Sequence, residues 1–170
     1  MALKIADPVT FLRNLVSKKG KSDLYGVYLT SVNVVADSQI EFDYPVTSEE
    51  TDKALKNLLS GEAADWNQLL VQVRTDESEI VHPIAFHHCG EPVTAFFITE
   101  GHEMSCSISI PKLNVDEFYF DVVFFQALLK KVAGFAGKNP SMVRFLIGAA
   151  SLDWDHLVER GEAEEVTVGF

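Results

Sequence analysis

The sequence predicts a protein of the α/β class and α+β type, in which a mixed β-sheet carries one long buried helix. Two observations lead to this prediction. Short runs rich in β-branched and aromatic residues follow one another between Leu69 and Ile110, separated by turn-forming residues. A mostly apolar run with helical spacing then extends from Asp121 to Gly137, and another β-rich run follows it. A meander-like sheet with a helix packed on it accounts for this order of elements.

The elements of the first half are predicted from caps, apolar spacing and turns. A short amphipathic helix is expected from Asp7 to Gly20, because an N-cap aspartate followed by proline opens it. Two paired strands are expected from Tyr25 to Val35 and from Gln39 to Tyr44, on either side of an Ala-Asp-Ser turn. A capping-box pattern then predicts a second helix between Thr47 and Gly61.

The second half is predicted to supply the rest of the sheet and its helix. The helix from Asp121 to Gly137 has a wide apolar face between Val122 and Phe135, so we expect it to be mostly buried. The strand after it, from Met142 to Ile147, ends at Gly148 and a polar tail follows. Strands before the helix are expected at Leu69 to Arg74, Glu79 to Phe86, Val93 to Thr99 and Glu103 to Ile110.

Length and composition favour a single domain over residues 1–170. With 47% hydrophobic residues, a chain of this length can bury a sizeable core. Its apolar runs stay well short of the roughly 20 residues that span a bilayer, and its N-terminus lacks the pattern of a secretory signal. We therefore expect a cytoplasmic protein. Cys89 and Cys106 are too few for a disulfide framework and form no Cys-x-x-Cys pair, so both are expected to be free thiols.

The net charge of -11 argues against direct binding of DNA or RNA, because such interfaces need clustered lysine and arginine. Arginine is the side chain that most often binds a phosphate through two hydrogen bonds at once, and the chain has few arginines. The acidity is also compatible with a decoy that occupies a basic partner surface, although a soluble surface is the commoner explanation. The arginines are Arg13, Arg74, Arg144 and Arg160.

Three blocks of the second half carry a resemblance to a known family. The blocks are Met104 to Cys106, read as a strand, Asp121 to Leu129, a buried helix, and Phe145 to His156, a strand that passes into a glycine-led motif. Their order and spacing resemble thymidylate synthase and its relative deoxycytidylate hydroxymethylase, over residues 86–156. The resemblance implies the thymidylate-synthase-like fold and a homodimer formed through the back of the sheet.

In that family a cysteine thiolate attacks C6 of a pyrimidine nucleotide, and C5 then accepts one carbon from 5,10-methylenetetrahydrofolate. The resemblance places Cys89 nearest to this nucleophile, although the order here is His-Cys where the family has Cys-His. A neighbouring cationic group promotes the thiolate, and His87 or His88 could supply it. The alternative is that Cys89 is an ordinary buried thiol at the end of a strand.

The resemblance also assigns substrate ligands, and several of them are changed. The arginine and serine that hold the phosphate correspond to Pro111 and Lys112, of which proline has no donor and lysine is a point charge. The histidine and tyrosine that bind the sugar correspond to Ser151 and Asp153, whereas His156 is kept. A surface histidine without function explains His156 at least as well.

Asp121 occupies the position of the residue that reads the pyrimidine base, which is aspartate in the hydroxymethylases that read cytosine. A carboxylate there could accept a hydrogen bond from the amino group of cytosine. Aspartate is also a favoured N-cap, and the start of a helix explains Asp121 about as well.

A metal site is the weaker interpretation of the histidines near Cys89. His82, His87, His88 and Cys89 carry suitable ligand atoms, but adjacent residues of a strand point to opposite faces of the sheet. No metal and no cofactor is therefore expected.

Three hypotheses of function follow. The first is a divergent thymidylate-synthase-like protein without synthase catalysis, of the kind that a phage carries as an accessory, which binds a pyrimidine nucleotide or a protein partner. The second is a working hydroxymethylase or methyltransferase, with Cys89 as nucleophile and Asp121 as base reader. The third is an acidic inhibitor of a basic host enzyme, whose working surface is the stretch from Asp153 to Glu165.

Overall fold

The computed structural model describes residues 27–36, 48–60, 65–75 and 80–151, and within these ranges it shows five strands and three α-helices. A short 3₁₀ turn, Val115–Glu117, leads into the third helix. Within the same ranges, no helix has both the length and the apolar character that a membrane-spanning segment needs. In chain order the elements are β1 (Val27–Val35), α1 (Ser48–Ser60), α2 (Trp66–Thr75), β2 (Val81–His88), β3 (Glu91–Glu100), β4 (Glu103–Asn114), α3 (Phe118–Ala136) and β5 (Asn139–Ser151).

The strands form one mixed sheet in the order β1, β5, β4, β3, β2. Strands β2, β3 and β4 are an antiparallel meander, as predicted. The chain then crosses over through α3, so that β5 runs parallel to β4, and β1 pairs with the other side of β5 in antiparallel fashion. The α+β fold class, with a mixed sheet that carries a long buried helix, is confirmed.

Two tight hairpin turns connect the meander. Cys89 and Gly90 lie between the paired residues His88 and Glu91, and both have positive φ angles, 50° and 81°. Positive φ at both central positions is the mark of a type I′ turn, which suits the twist of a hairpin. The turn between β3 and β4 begins with Gly101, at a φ of 60°, as a type II′ turn requires.

The core lies between the sheet and α3. On the sheet, the inward residues alternate along each strand, as Val93, Ala95 and Phe97 do along β3. The C-terminal end of the apolar face predicted for α3 is not buried. Phe135 is 48% exposed there, and the Arg74 guanidinium lies 5.7 Å from the centre of its ring. The buried apolar side chains of α3 are Phe118, Val122, Phe124, Phe125, Leu128, Leu129, Val132 and Ala133.

The strand predicted from Leu69 to Arg74 is wrong, because this run lies within α2. The Asp65 carboxylate accepts a hydrogen bond of 3.0 Å from the Gln68 backbone N–H and so caps the helix. The cap and the helical spacing outweigh the β-propensity of the valines. The side chains that α2 buries recur at positions i, i+3 and i+7, namely Trp66, Leu69 and Val73.

The remaining predicted elements divide into those confirmed and those outside the described ranges. The strands predicted within β1, β2, β3, β4 and β5 are confirmed, and so are the helices at α1 and α3. β4 runs four residues further than predicted, to Asn114, and β5 begins earlier, at Asn139. The helix from Asp7 to Gly20, the strand from Gln39 to Tyr44 and the polar tail after Ser151 lie outside the described residues.

Candidate functional site

A pocket of about 280 Å³ opens at the edge of the core, where the β2–β3 turn meets the end of β4 and the first turn of α3. Its apolar floor comes from Val93, Ile110 and Leu113. The polar side chains that line it are His88, Cys89, Glu91, Lys112, Asn114, Glu117 and Asp121.

His88 is placed in this pocket by the two-residue alternation of β2. His82, Ile84 and Phe86 are buried on the inner face of the strand, so His88, two residues further on, also faces inward. Its ring stacks on that of Phe124 with the centroids 4.5 Å apart. The alternation sends His87 to the opposite face, where it is exposed and is not part of the pocket.

Asp121 contributes the buried carboxylate of the site. Its Oδ1 lies 2.7 Å from Nε2 of His88, and its side chain is only 9% exposed. The N-cap interpretation of Asp121 is wrong, because α3 begins three residues earlier, at Phe118, and the cap residue is Glu117. Asp121 therefore lies within the first helical turn and turns its carboxylate to His88.

Cys89 lies at the mouth of the pocket and is exposed, so the interpretation as a buried thiol is wrong for this residue. Its Sγ is 3.6 Å from Nε2 of His88. The chain's buried thiol is Cys106, where burial raises the pKa far above the usual range of a thiol and keeps it protonated.

The charge state of His88 follows from its neighbours. Burial by itself lowers the pKa of His88, but the hydrogen bonds to Asp121 and Cys89, with the coulombic attraction of both groups, outweigh burial and raise it to about 9. At neutral pH His88 is therefore an imidazolium that donates through Nε2–H to Asp121. Since Cys89 and Asp121 both contact Nε2, the three groups do not form a relay in which the carboxylate and the nucleophile use different ring nitrogens.

The structure brings together four of the five predicted site residues. His88, Cys89, Asp121 and Lys112 line one pocket although they come from β2, the adjoining turn, α3 and β4. His156 lies outside the described residues.

Three polar residues of the pocket were not predicted from the sequence: Glu91, Asn114 and Glu117. Glu91 pairs with His88 across the hairpin, so recognition of the two-residue turn would have found it. Asn114 and Glu117 follow a strand that was expected to end at Ile110, and no motif marks them.

The donor atoms of His88, Cys89 and Asp121 lie within 4.8 Å of one another, which makes them a possible ligand set for a metal ion. The cluster of four considered from the sequence does not form. His82 is buried in the core, where neither ring nitrogen has a hydrogen-bond partner among the described residues, and His87 faces the other way.

No protein-family model matches the sequence, and a search of curated proteins found no match either.

Proposed function

We propose that this pocket binds a pyrimidine nucleotide or its nucleoside, and that the protein is a divergent thymidylate-synthase-like binding protein without synthase catalysis. One observation carries the proposal. Cys89, Asp121 and Lys112, to which the resemblance assigns the nucleophile, the base reader and the phosphate ligand, line a single pocket. These residues come from the β2–β3 turn, β4 and α3, and a chance likeness of separate blocks would not require them to meet.

Asp121 is the group that would select the base. Its Oδ1 accepts a hydrogen bond from the His88 imidazolium, which holds the carboxylate at the pocket wall. Its Oδ2 can then accept from the exocyclic amino group of cytosine, whereas the carbonyl of uracil at the same position would be repelled. We therefore expect a cytosine ligand to bind more tightly than a uracil ligand.

The loss of synthase catalysis is supported by the size and the charge of the pocket. A volume of about 280 Å³ lies at the lower limit of ligand sites, which usually measure about 300–1,000 Å³, and leaves no room for a folate beside a nucleotide. Among the described lining residues there is no arginine, and Lys112 shares the pocket with the carboxylates of Glu91 and Glu117. A phosphate is therefore held weakly.

Thermal unfolding of the purified protein with deoxycytidine, deoxycytidylate, deoxyuridylate, thymidylate and folate tests the proposal. A ligand at 100 times its Kd adds about 2.7 kcal/mol to the free energy of unfolding. For a chain of this size that corresponds to a rise in Tm of roughly 5–10 °C. We expect this rise with a cytosine ligand and none with folate.

Two variants sharpen the test. Asp121→Asn should reverse the preference for cytosine, and Lys112→Ala should remove any advantage of the nucleotide over the nucleoside. If no pyrimidine raises the Tm, or if Asp121→Asn leaves the cytosine effect unchanged, the proposal fails.

A second candidate function is covalent one-carbon transfer with Cys89 as nucleophile. The exposure of Cys89 and the 3.6 Å between its Sγ and Nε2 of His88 favour it, since an imidazolium next to a thiol stabilises the thiolate. Transfer of a methyl or hydroxymethyl group to a pyrimidine nucleotide, lost in Cys89→Ala and retained in His87→Gln, would establish this function in place of the first.

We further propose that the protein is cytoplasmic and forms a homodimer through the face of the sheet opposite α3. Apolar side chains on that face support the homodimer. They include Leu146, which is 40% exposed, and the half-buried Phe96 and Ile98. None of the described helices packs on it, because all three contribute to the core on the other face.

A further inference from the structure

We infer that His88, Cys89 and Asp121 form a binding site for a divalent metal ion of the zinc type, with one coordination position open to the pocket. The inference goes beyond the proposed binding of a pyrimidine and does not depend on it. The three residues offer an imidazole nitrogen, a thiolate sulfur and a carboxylate oxygen, which are the ligand types that zinc takes in proteins.

The distance between the sulfur of Cys89 and the imidazole nitrogen of His88 fits a tetrahedral ion. With bonds of about 2.3 Å to sulfur and about 2.0–2.1 Å to nitrogen, such an ion holds these two atoms about 3.6 Å apart. Sγ of Cys89 and Nε2 of His88 are 3.6 Å apart. Oδ1 of Asp121 lies 2.7 Å from Nε2 because a proton joins them, and replacement of that proton by the ion requires an opening of only about 0.6 Å.

The backbone conformation at Cys89 explains how its sulfur comes to lie beside His88. In a regular strand Cys89 would point to the face opposite His88, as the sequence-based objection to a metal site assumed. The φ of 50° at Cys89 places the residue in the turn instead, and the sulfur lies beside the imidazole. Among the described residues Cys89 is the one non-glycine residue with positive φ, and strain of this kind tends to persist at functional sites.

The rest of the pocket suits a cation with an open coordination position. Glu91 and Glu117 add two carboxylates to that of Asp121, and Lys112 is the one lysine or arginine among the described residues that line the pocket. Because Cys89 is exposed and the pocket is open, water or a ligand atom can reach the fourth position, as in catalytic rather than structural zinc sites. A metal-bound sulfur is not free to attack C6 of a pyrimidine, so the loaded protein is expected to lack covalent activity of Cys89.

Titration of the reduced, tag-free full-length protein with Co²⁺ after removal of metals by a chelator is the direct test. We expect one equivalent to bind, with a thiolate-to-cobalt charge-transfer band in the near ultraviolet and visible bands typical of tetrahedral coordination. One equivalent of Zn²⁺ should abolish both. Absence of the charge-transfer band from the unmodified protein overturns the inference, whatever the variants do.

Variants identify the ligands. Cys89→Ser and Asp121→Asn should each weaken Zn²⁺ binding at least tenfold, as measured by competition with a chromophoric chelator, whereas His87→Gln should bind as the parent does. His87 is the matched control, because it neighbours His88 in sequence but lies on the other face of β2. Unchanged affinity in Cys89→Ser, or lost affinity in His87→Gln, would assign the metal to other residues and overturn the proposed site. Pyrimidine binding measured in chelator is a separate result, so the two proposals can fail independently.

Discussion

At the scale of the residue, Cys89 combines an exposed thiol with a backbone conformation that suits asparagine or glycine better. Its φ of 50° costs most residues on the order of 1–2 kcal/mol, whereas glycine and asparagine tolerate it, and type I′ turns prefer the pair Asn-Gly. We expect Cys89→Asn to raise the free energy of unfolding of the metal-free protein by about 1 kcal/mol, measured with urea, and to abolish metal binding. Cys89→Ala is the control, since it removes the thiol but has no polar side chain that would stabilise the left-handed conformation. A gain in Cys89→Ala as large as that in Cys89→Asn would show that the conformation is not the cause.

His88 makes the stability of the metal-free protein depend on pH. Its pKa is about 9 in the folded chain and about 6.5 when unfolded, so the folded state binds the proton more tightly. The stabilisation is fully present below pH 6.5 and is lost as the pH rises through 9, in total on the order of 3 kcal/mol. Urea unfolding in chelator at pH 6, 7.5 and 9.5 should show this loss, and His88→Gln should lack it. An equal loss in both proteins would contradict the coupling of His88 to Asp121.

Four of the seven polar residues that line the pocket were named from the sequence, namely His88, Cys89, Lys112 and Asp121, but their geometry could not be predicted. The resemblance selects Cys89 and Asp121, and the inward position of His88 follows from the alternation of β2. The sulfur of Cys89 lies close to the imidazole of His88 because Cys89 has a positive φ. Cysteine rarely adopts this conformation, so the sequence does not predict it. The same holds for Asp121, since its contact with His88 depends on α3 beginning at Phe118.

At the scale of the element, prediction succeeded where one strong pattern was present and failed where two patterns competed. The apolar spacing of α3 and the turns around β3 are unambiguous, and both elements lie where they were expected. In α2 the two signals conflict. The valines of the run from Leu69 to Arg74 favour a strand, whereas the N-cap at Asp65, which lies before this run, favours a helix. The residue that decides in favour of a helix is therefore Asp65, which lies one position before α2 begins.

The close approach of β4 and β5 predicts opposite effects of alanine at two glycines. A Cβ on Gly148 would lie 2.6 Å from the Pro111 carbonyl oxygen, which belongs to a neighbouring strand and cannot move freely. We expect Gly148→Ala to lower the free energy of unfolding by on the order of 1–3 kcal/mol. Gly134→Ala, in α3, meets nothing within 4 Å and should raise it by up to about 1 kcal/mol through helix propensity. Both values can be measured by urea denaturation, and a loss of stability in Gly134→Ala, or none in Gly148→Ala, would contradict this account of the packing.

At the scale of the whole molecule, the crossover and the meander together create the pocket. The hairpin brings the end of β2 to the same edge of the core as the end of β4, and the crossover begins there with α3. Sequence patterns predict the elements, but a pocket that joins residues 88 and 121 depends on the order of the strands. That order includes the parallel pairing of β4 with β5. The helical crossover permits this pairing but does not by itself make the two strands neighbours.

The sheet face opposite α3 gives the last prediction, which concerns the assembly. An interface that holds a stable homodimer buries about 1,200–2,000 Å² in total, and one face of a five-stranded sheet is large enough for this. We expect light scattering to give the mass of a dimer, twice the 18.9 kDa of the chain. Leu146→Glu places a charge on this face, at a side chain that is 40% exposed, and should yield a monomer.

The control is Val71→Glu on α2, where the parent side chain is 58% exposed on the helical side of the molecule. It should remain dimeric, because a charge there is solvated and lies away from the proposed interface. If the parent protein is a monomer at tens of micromolar, or if Val71→Glu and Leu146→Glu dissociate equally, the outer face of the sheet is not the dimer interface. The binding of a pyrimidine or of a metal would be unaffected by that result, since the pocket lies at the edge of the core on the other side of the sheet.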